Sequence, residues 1–342
     1  MTAAVAIAIL GVMKDHPSIR SVVLLHYNPA DRINDVLARL AATWTVTALP
    51  DDADRATLAA ALADADALFT HHFDGESPPA PNLRLLQVPG AGYDAIDLAA
   101  LPKGCTVCNV HEHETGIAEY VLLGMLEWVI GMAAMDRRLR QRDWTGSAVK
   151  GGNFHGELAG KTVGIVGFGH IGREVARRAR AFGVTVGAIT RTPHPSELAD
   201  WVAPMSALEA RLPECDFIVI ACPLNAATRG LIDRRRLGLM KRSAVLINVA
   251  RGEVVAEDAL YEALRDRIIA GAVIDTWYVY PAAGEPDPYP SRRPFHELPN
   301  VIMTPHASGW TDKLLDRRWR VMADNLERLA AGQELRNVVH RG

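Results

Sequence analysis

Short apolar runs recur through the first hundred residues: SVVLLHYN (21–28), TVTAL (45–49), ALF (67–69) and LRLLQV (83–88). SVVLLHYN reads as a buried strand and the other three as short strands. Between them, 31–42 repeats apolar residues at helical spacing, and an Ala-rich segment predicts a helix around 55–65. Strands alternating with helices imply a parallel α/β sheet.

From 116 to about 138 runs a long helical pattern in which Ile117, Tyr120, Val121, Leu123, Met125, Leu126, Trp128, Val129, Ile130 and Met132 touch nearly every face. A helix apolar all round is expected to be buried all round, between domains or subunits. The basic stretch RRLRQRDWTGSAVKGGN then separates it from a second α/β series. That series predicts strand 163–166, helix 171–182 and strands 184–190, 216–221, 244–248 and 272–275.

Composition narrows the partners. Hydrophobic residues are 49% of the 342, so a packed core is available, and the length suits two domains. Thirty-seven basic against 40 acidic residues, net −3, lack the surplus a phosphate-tracking nucleic-acid binder needs. No apolar stretch reaches the roughly 20 residues of a bilayer span, so neither nucleic acid nor membrane is expected as a partner. Four cysteines fit a reducing compartment, with cytoplasm as the default. Cys105 and Cys108 form a CxxC, but GCTVCNV is rich in strand formers and reads as a strand. The run AVAIAILGVM (4–13) has no basic residue before it and reads as a first strand or an ordered arm rather than a signal peptide. His111-Glu112-His113-Glu114 reads as a solvated loop ahead of a helix rather than a metal cluster, and His71-His72-Phe73 as a strand-end turn or the lining of a substrate mouth.

The strongest chemical signal is the strand VGIV followed by Gly167, Phe168, Gly169, His170, Ile171 and Gly172, with Ile171, Val175, Ala176, Ala179 and Phe182 then on one helical face. This GxGxxG has strand before it and helix after it, as a dinucleotide site requires. Gly167 allows the tight turn, Gly169 the approach of a pyrophosphate to the backbone, and Gly172 close packing of helix on strand. An NAD site places a carboxylate at the end of the second strand for the ribose 2′-hydroxyl. Here that strand ends in Thr190-Arg191-Thr192, and no acid occurs between Glu174 and Glu197. Arg191 and its flanking hydroxyls suit a 2′-phosphate, so NADP is expected over NAD.

Further segments join this loop: Cys222-Pro223-Leu224 with Thr228, INVARGEVV around Arg251, TPHASG around His306, Gly90-Ala91-Gly92-Tyr93-Asp94, Ala118-Glu119, and Trp144. Together they resemble the D-isomer-specific 2-hydroxyacid dehydrogenases, a family that includes glyoxylate and hydroxypyruvate reductases, phosphoglycerate dehydrogenase and formate dehydrogenase. The resemblance implies two Rossmann-like doubly wound parallel-sheet domains. A discontinuous substrate domain, 1–114 plus 310–342, is expected around an NAD(P)-binding domain, 115–309, with a homodimer formed through the cofactor domain. It further implies that Arg251 orients a small 2-oxo or 2-hydroxy acid, His306 acts as acid/base, and backbone N–H groups of Ala91 and Gly92 help bind the carboxylate. Asp275 would hold the nicotinamide carboxamide, Cys222, Pro223 and Thr228 line the cofactor groove, and Val249 and Ala250 border the nicotinamide. No metal is implied.

One position departs from the family pattern. A Glu usually follows the strand-end Asp by five residues, precedes a Pro, and pairs with the catalytic His. Counted from Asp275, that position is Tyr280, before Pro281. A phenol offers no charge to stabilise imidazolium. Tyr280 is the expected His306 neighbour, with Glu285 in the following loop as a displaced alternative. The expected activity is NADP(H)-dependent reduction of a glyoxylate- or hydroxypyruvate-like acid. The neutral Tyr280 also keeps a formate-type NAD-dependent dehydrogenase open, and a nicotinamide-sensing regulator is a further alternative. Trp310 is expected either to wall a larger substrate or to pack between the domains.

Overall fold

A computed structural model describes residues 20–24, 44–50, 53–282 and 286–342. The expected N-terminal strand or arm (4–13), helix 31–42, the end of the first expected strand (25–28) and Glu285 lie outside the described residues. The chain divides into two compact units, Met1–Glu112 with Asp312–Gly342, and His113–Thr311.

The first unit opens with β1 (Arg20–Leu24), β2 (Trp44–Ala48), helix α1 (Arg55–Leu62), β3 (Ala67–Phe69), β4 (Leu85–Gln87) and β5 (Thr106–Cys108). The strands lie parallel in the order β5-β4-β3-β1-β2. The carboxylate of Asp54 caps α1 by accepting from the Thr57 N–H at 2.9 Å.

The second unit contains α2 (Glu114–Ile130), α3 (Met132–Arg140), β6 (Thr162–Val166), α4 (His170–Ala179), β7 (Thr185–Thr190), β8 (Trp201–Pro204), α5 (Leu208–Arg211), β9 (Phe217–Ile220), α6 (Arg234–Leu239), β10 (Val245–Asn248), α7 (Glu257–Arg265), β11 (Gly271–Ile274) and β12 (Val301–Met303). All seven strands are parallel, in the order β12-β11-β10-β9-β6-β7-β8. The sheet is wound outward from β6 in one direction and from β9 in the other. Strand order therefore reverses between β6 and β9, where a doubly wound fold opens a crevice at its carboxyl edge. Strands β9, β10 and β11 are buried at every residue, which is why their sequences show no alternation.

The chain then returns to the first unit as α8 (Leu314–Ala330) and β13 (Val338–Arg341), the latter antiparallel to β5. Met322, Leu326 and Leu329 of α8 pack with Val22, Phe69 and Leu85. Fully buried Asn325 donates to the Gln87 side chain at 2.8 Å and accepts from the Arg336 N–H at 2.8 Å, so both ends of this buried amide are paired.

An aspartate just ahead of a strand, or beginning its approach, recurs in both units. Asp66 accepts from the Ser21 N–H, Asp216 from Thr162 and Asp200 from Val186, at 3.0, 2.8 and 2.7 Å. Each carboxylate closes the amino end of a neighbouring strand with a charge-assisted bond.

The long helical pattern differs from its expected form. It is two helices, bent by 54° at Gly131, whose backbone is left-handed (φ +69°). The Gly131 N–H returns to the Glu127 carbonyl at 2.7 Å, a glycine C-cap that ends α2 before the basic α3 begins. Nor is α2 buried all round within the chain: Ile117, Ala118, Val121, Leu122 and Met125 are buried with the sheet and α4, whereas Leu123 is 59% exposed. Among the described residues, no single helix is long and apolar enough to cross a membrane.

Candidate active site

At the end of β6 the chain turns through Gly167 (φ +101°), whose N–H donates to the Ile189 carbonyl at 2.8 Å. A Cβ on Gly167 would stand 2.5 Å from the backbone nitrogen of Cys222, and one on Gly172 would stand 2.2 Å from the Gly167 carbonyl oxygen. Both glycines are forced by close backbone approach. Gly169 is different, since a Cβ there would meet nothing within 4 Å. It opens α4, which has no side-chain cap and no acid in its first turn. The free N–H groups of a helix start, an open glycine and two glycines that draw the turn tight fit a pyrophosphate. His170 beside it is exposed and Ile171 half-buried.

The rest of the cofactor candidates edge the same end of the sheet. At the end of β7, Thr190 is half-buried while Arg191 and Thr192 are exposed. Cys222 is buried and Pro223 exposed; the buried Thr228 hydroxyl donates to the Pro223 carbonyl at 2.6 Å and accepts from the Asn225 N–H at 2.8 Å, so it shapes this loop. Val249 and Ala250 are buried after β10, and Asn248 accepts from the Ala250 N–H at 3.1 Å and donates to the Arg251 carbonyl at 2.9 Å. Half-buried Arg251 is steadied by an Nη1 bond to the Ala250 carbonyl at 2.8 Å.

His306 follows β12 in a left-handed backbone conformation (φ +55°), unusual for a residue with a side chain. The cause lies beneath it. Asp275, fully buried after β11, accepts from the Ala307 N–H and the Thr304 hydroxyl on Oδ1 and from the Ser308 N–H on Oδ2, at 2.9, 2.6 and 2.9 Å. Because the Thr304 hydroxyl donates to Asp275, the Tyr120 hydroxyl, 2.6 Å away on α2, donates to Thr304. The Trp277 indole N–H donates to the Thr304 carbonyl at 2.7 Å. This network fixes the strained turn that carries the histidine. Asp275 thus anchors the His306 loop, a task the sequence did not show, and Thr304, Tyr120 and Trp277 are its unforeseen partners.

Tyr280 stands against His306, with its Oη 3.0 Å from Nδ1, and accepts from the Trp277 backbone N–H at 3.1 Å. Burial lowers the His306 pKa; Asp275 opposes this and Arg251 adds to it. Burial raises the Tyr280 pKa.

The first unit holds Ala91 and Gly92 half-buried in the loop after β4. The Ala91 carbonyl accepts from Asn109 Nδ2 at 2.8 Å and the Gly90 carbonyl from the Val110 N–H at 3.0 Å. His72 lies in the turn after β3, where its N–H and carbonyl both bond the Thr70 hydroxyl. Cys105 and Cys108 are buried at β5, and burial pushes their thiols up to about 11 and about 12. The carbonyls of His111 and Glu112 are held by Arg318 and Arg317 of α8. Trp310 is 70% exposed.

A sheet wound 3-2-1-4, a phosphate-shaped glycine turn and a histidine within the electrostatic reach of an arginine fit a nicotinamide-dependent oxidoreductase of the doubly wound class. The family described as D-isomer specific 2-hydroxyacid dehydrogenase, NAD binding domain, matches residues 122–308. A glyoxylate reductase of Thermococcus kodakarensis is 36% identical over 281 residues, 80% of this chain and 82% of that protein. Among solved structures, a 2-hydroxyacid dehydrogenase from Ketogulonicigenium vulgare Y25 superposes with a TM-score of 0.77 at 27% identity, covering 95% of this chain and 99% of that one. A probable 2-hydroxyacid dehydrogenase from Rhizobium etli in complex with NADP, HEPES and L(+)-tartaric acid gives 0.75 at 25% identity, covering 94% and 98%. The chain belongs to the D-isomer specific 2-hydroxyacid dehydrogenases, and is an oxidoreductase with a nicotinamide cofactor.

Proposed function

We propose that this enzyme is an NADP(H)-dependent reductase of small 2-oxo acids of the glyoxylate or hydroxypyruvate kind. The observation that carries the reading is His306, pinned by Asp275 and bonded to Tyr280, in the electrostatic reach of Arg251. The cofactor supplies the hydride. Arg251 offers paired guanidinium donors that stay charged at any working pH, which suits a substrate carboxylate or carbonyl oxygen. His306 gives a proton to the carbonyl oxygen during reduction and takes it back in oxidation. The glyoxylate reductase relative supports the substrate class.

Exposed Arg191 and Thr192 beside Thr190, with no acid at this strand end, support NADP over NAD. The apolar side chains of Leu123, Met132, Val149 and Phe154, 59%, 64%, 90% and 101% exposed, support a homodimer built on the second unit. Sedimentation of the purified protein tests this, and a concentration-independent monomer overturns it.

Steady-state turnover of glyoxylate and hydroxypyruvate with NADPH and with NADH tests the main reading. Rapid NADPH oxidation supports it, and cofactor binding without turnover of any 2-oxo acid overturns it in favour of a nicotinamide-sensing regulator. The neutral Tyr280 favours a second reading, formate oxidation, because hydride loss from formate needs no base. Carbon dioxide release from formate with NAD, without 2-oxo acid reduction, selects that reading.

A further inference from the structure

We infer that Tyr280 sets the tautomer of His306: its hydroxyl, backed by the Trp277 N–H, donates to Nδ1 and leaves the hydrogen of the neutral ring on Nε2. The argument is an inventory of hydrogens. A phenol has one O–H to give and an oxygen that can accept. The Trp277 N–H, 3.1 Å away, has only a donor to offer, so at this contact the Tyr280 oxygen accepts. Its O–H is then free for Nδ1 at 3.0 Å. The two rings are tilted by 54° with centroids 5.6 Å apart, so they meet through this bond rather than by stacking. The charged groups acting on the pair are Arg251 and Asp275 on His306, and Arg251, Asp275 and Glu253 on Tyr280. Asp275 acts through space, since its oxygens are bonded to the 304–308 loop.

The inference rests on the proposed role of His306 and adds what that role requires. In the neutral resting form Nε2 is a donor, matched to the carbonyl of a 2-oxo acid. A 2-hydroxy acid needs an Nε2 lone pair, which is available only after the proton moves to Nδ1 and Tyr280 turns from donor to acceptor. Complete reduction uses imidazolium. Nε2–H passes to the carbonyl oxygen as hydride reaches the carbon, leaving Nδ1–H donating to Tyr280, and a proton from water restores the charged ring. Because Tyr280 brings no negative charge to imidazolium, reduction favours acid solution.

Nitrogen-15 spectra of the full-length protein labelled at histidine test this directly, with His306→Gln identifying the signal. Above the titration of His306, the parent is expected to show an unprotonated, hydrogen-bonded Nδ1 and a protonated Nε2. Tyr280→Phe should release the ring to a mixture of tautomers. Tyr280→Glu, an acceptor only, should move the proton to Nδ1 and shift the half-point of reductive kcat/KM to the alkaline side by about one pH unit or more. A proton on Nδ1 in the parent overturns the inference, whatever the variants do, and so does an unchanged spectrum in a folded Tyr280→Phe protein. A His306→Gln enzyme as active as the parent would overturn the proposed function instead, leaving the tautomer to be judged from the parent spectrum.

Discussion

The hydroxyl of Thr304 bonds Oδ1 of Asp275 at 2.6 Å, and through that bond α2 is tied by Tyr120 to the turn bearing His306. Asp275→Asn exchanges part of an acceptor for a donor and leaves at least one of the Ala307 and Ser308 N–H groups unpaired. At about 1–3 kcal/mol per unsatisfied buried group, kcat/KM should fall about 10- to 100-fold. Thr304→Val should cost less, and Thr304→Ser should recover most of it. Parental kcat/KM in Asp275→Asn would refute the anchoring role.

Two glycines of one turn should separate folding from binding. Gly167→Ala drives a Cβ into the Cys222 backbone at a positive φ, so the thermal midpoint should drop and cofactor binding disappear with it. Gly169→Ala meets open space at φ −85°, so its midpoint should stay near the parent's while cofactor affinity weakens. Calorimetry and cofactor titration on both variants check the contrast.

Arg191→Ala should lower the ratio of kcat/KM for NADPH to that for NADH by about 10- to 100-fold, the loss of one charged hydrogen-bonding partner of a phosphate. A parent enzyme that strongly prefers NADH would already contradict the basis of this expectation.

Arg251→Lys keeps the charge but loses the planar fork. Substrate KM should rise and kcat/KM fall about 100-fold, with cofactor affinity little changed. If binding of the 2-oxo acid is untouched, Arg251 does not hold it.

The lowered pKa of His306 has a stability consequence. The folded protein binds fewer protons at this site than the unfolded chain, whose histidine titrates near 6.5. Stability therefore rises with pH through the interval between the lowered value and about 6.5, and is lost as pH falls through it. His306→Gln should flatten that part of the curve, which urea unfolding at several pH values would reveal.

Much of this architecture was visible in the chain because its parts repeat a physical constraint. Strands β6, β7, β9, β10 and β11 are continuous apolar runs covered on both faces, and the glycine turn needs its glycines for separate steric reasons. Strands β8, β12 and β13 are not legible in the sequence. They have three or four residues each, lie at sheet edges and are largely half-exposed, so their sequences carry little apolar signal. The apolar pattern runs straight through Gly131, although this glycine ends a helix. At the site, the spacing from Asp275 points to Tyr280, but the bond from Tyr120 to Thr304 joins residues 184 positions apart and no local pattern announces it.

The first unit closes over side chains of α8, which are translated only after the whole of His113–Thr311. On a ribosome adding about 5–20 residues per second, β1 to β5 wait roughly tens of seconds for Met322, Leu326 and Leu329 to arrive. The later-made second unit is contiguous and can finish first. The order of maturation is then the reverse of the order of synthesis, and the early strands are the part of the nascent chain with most need of a chaperone.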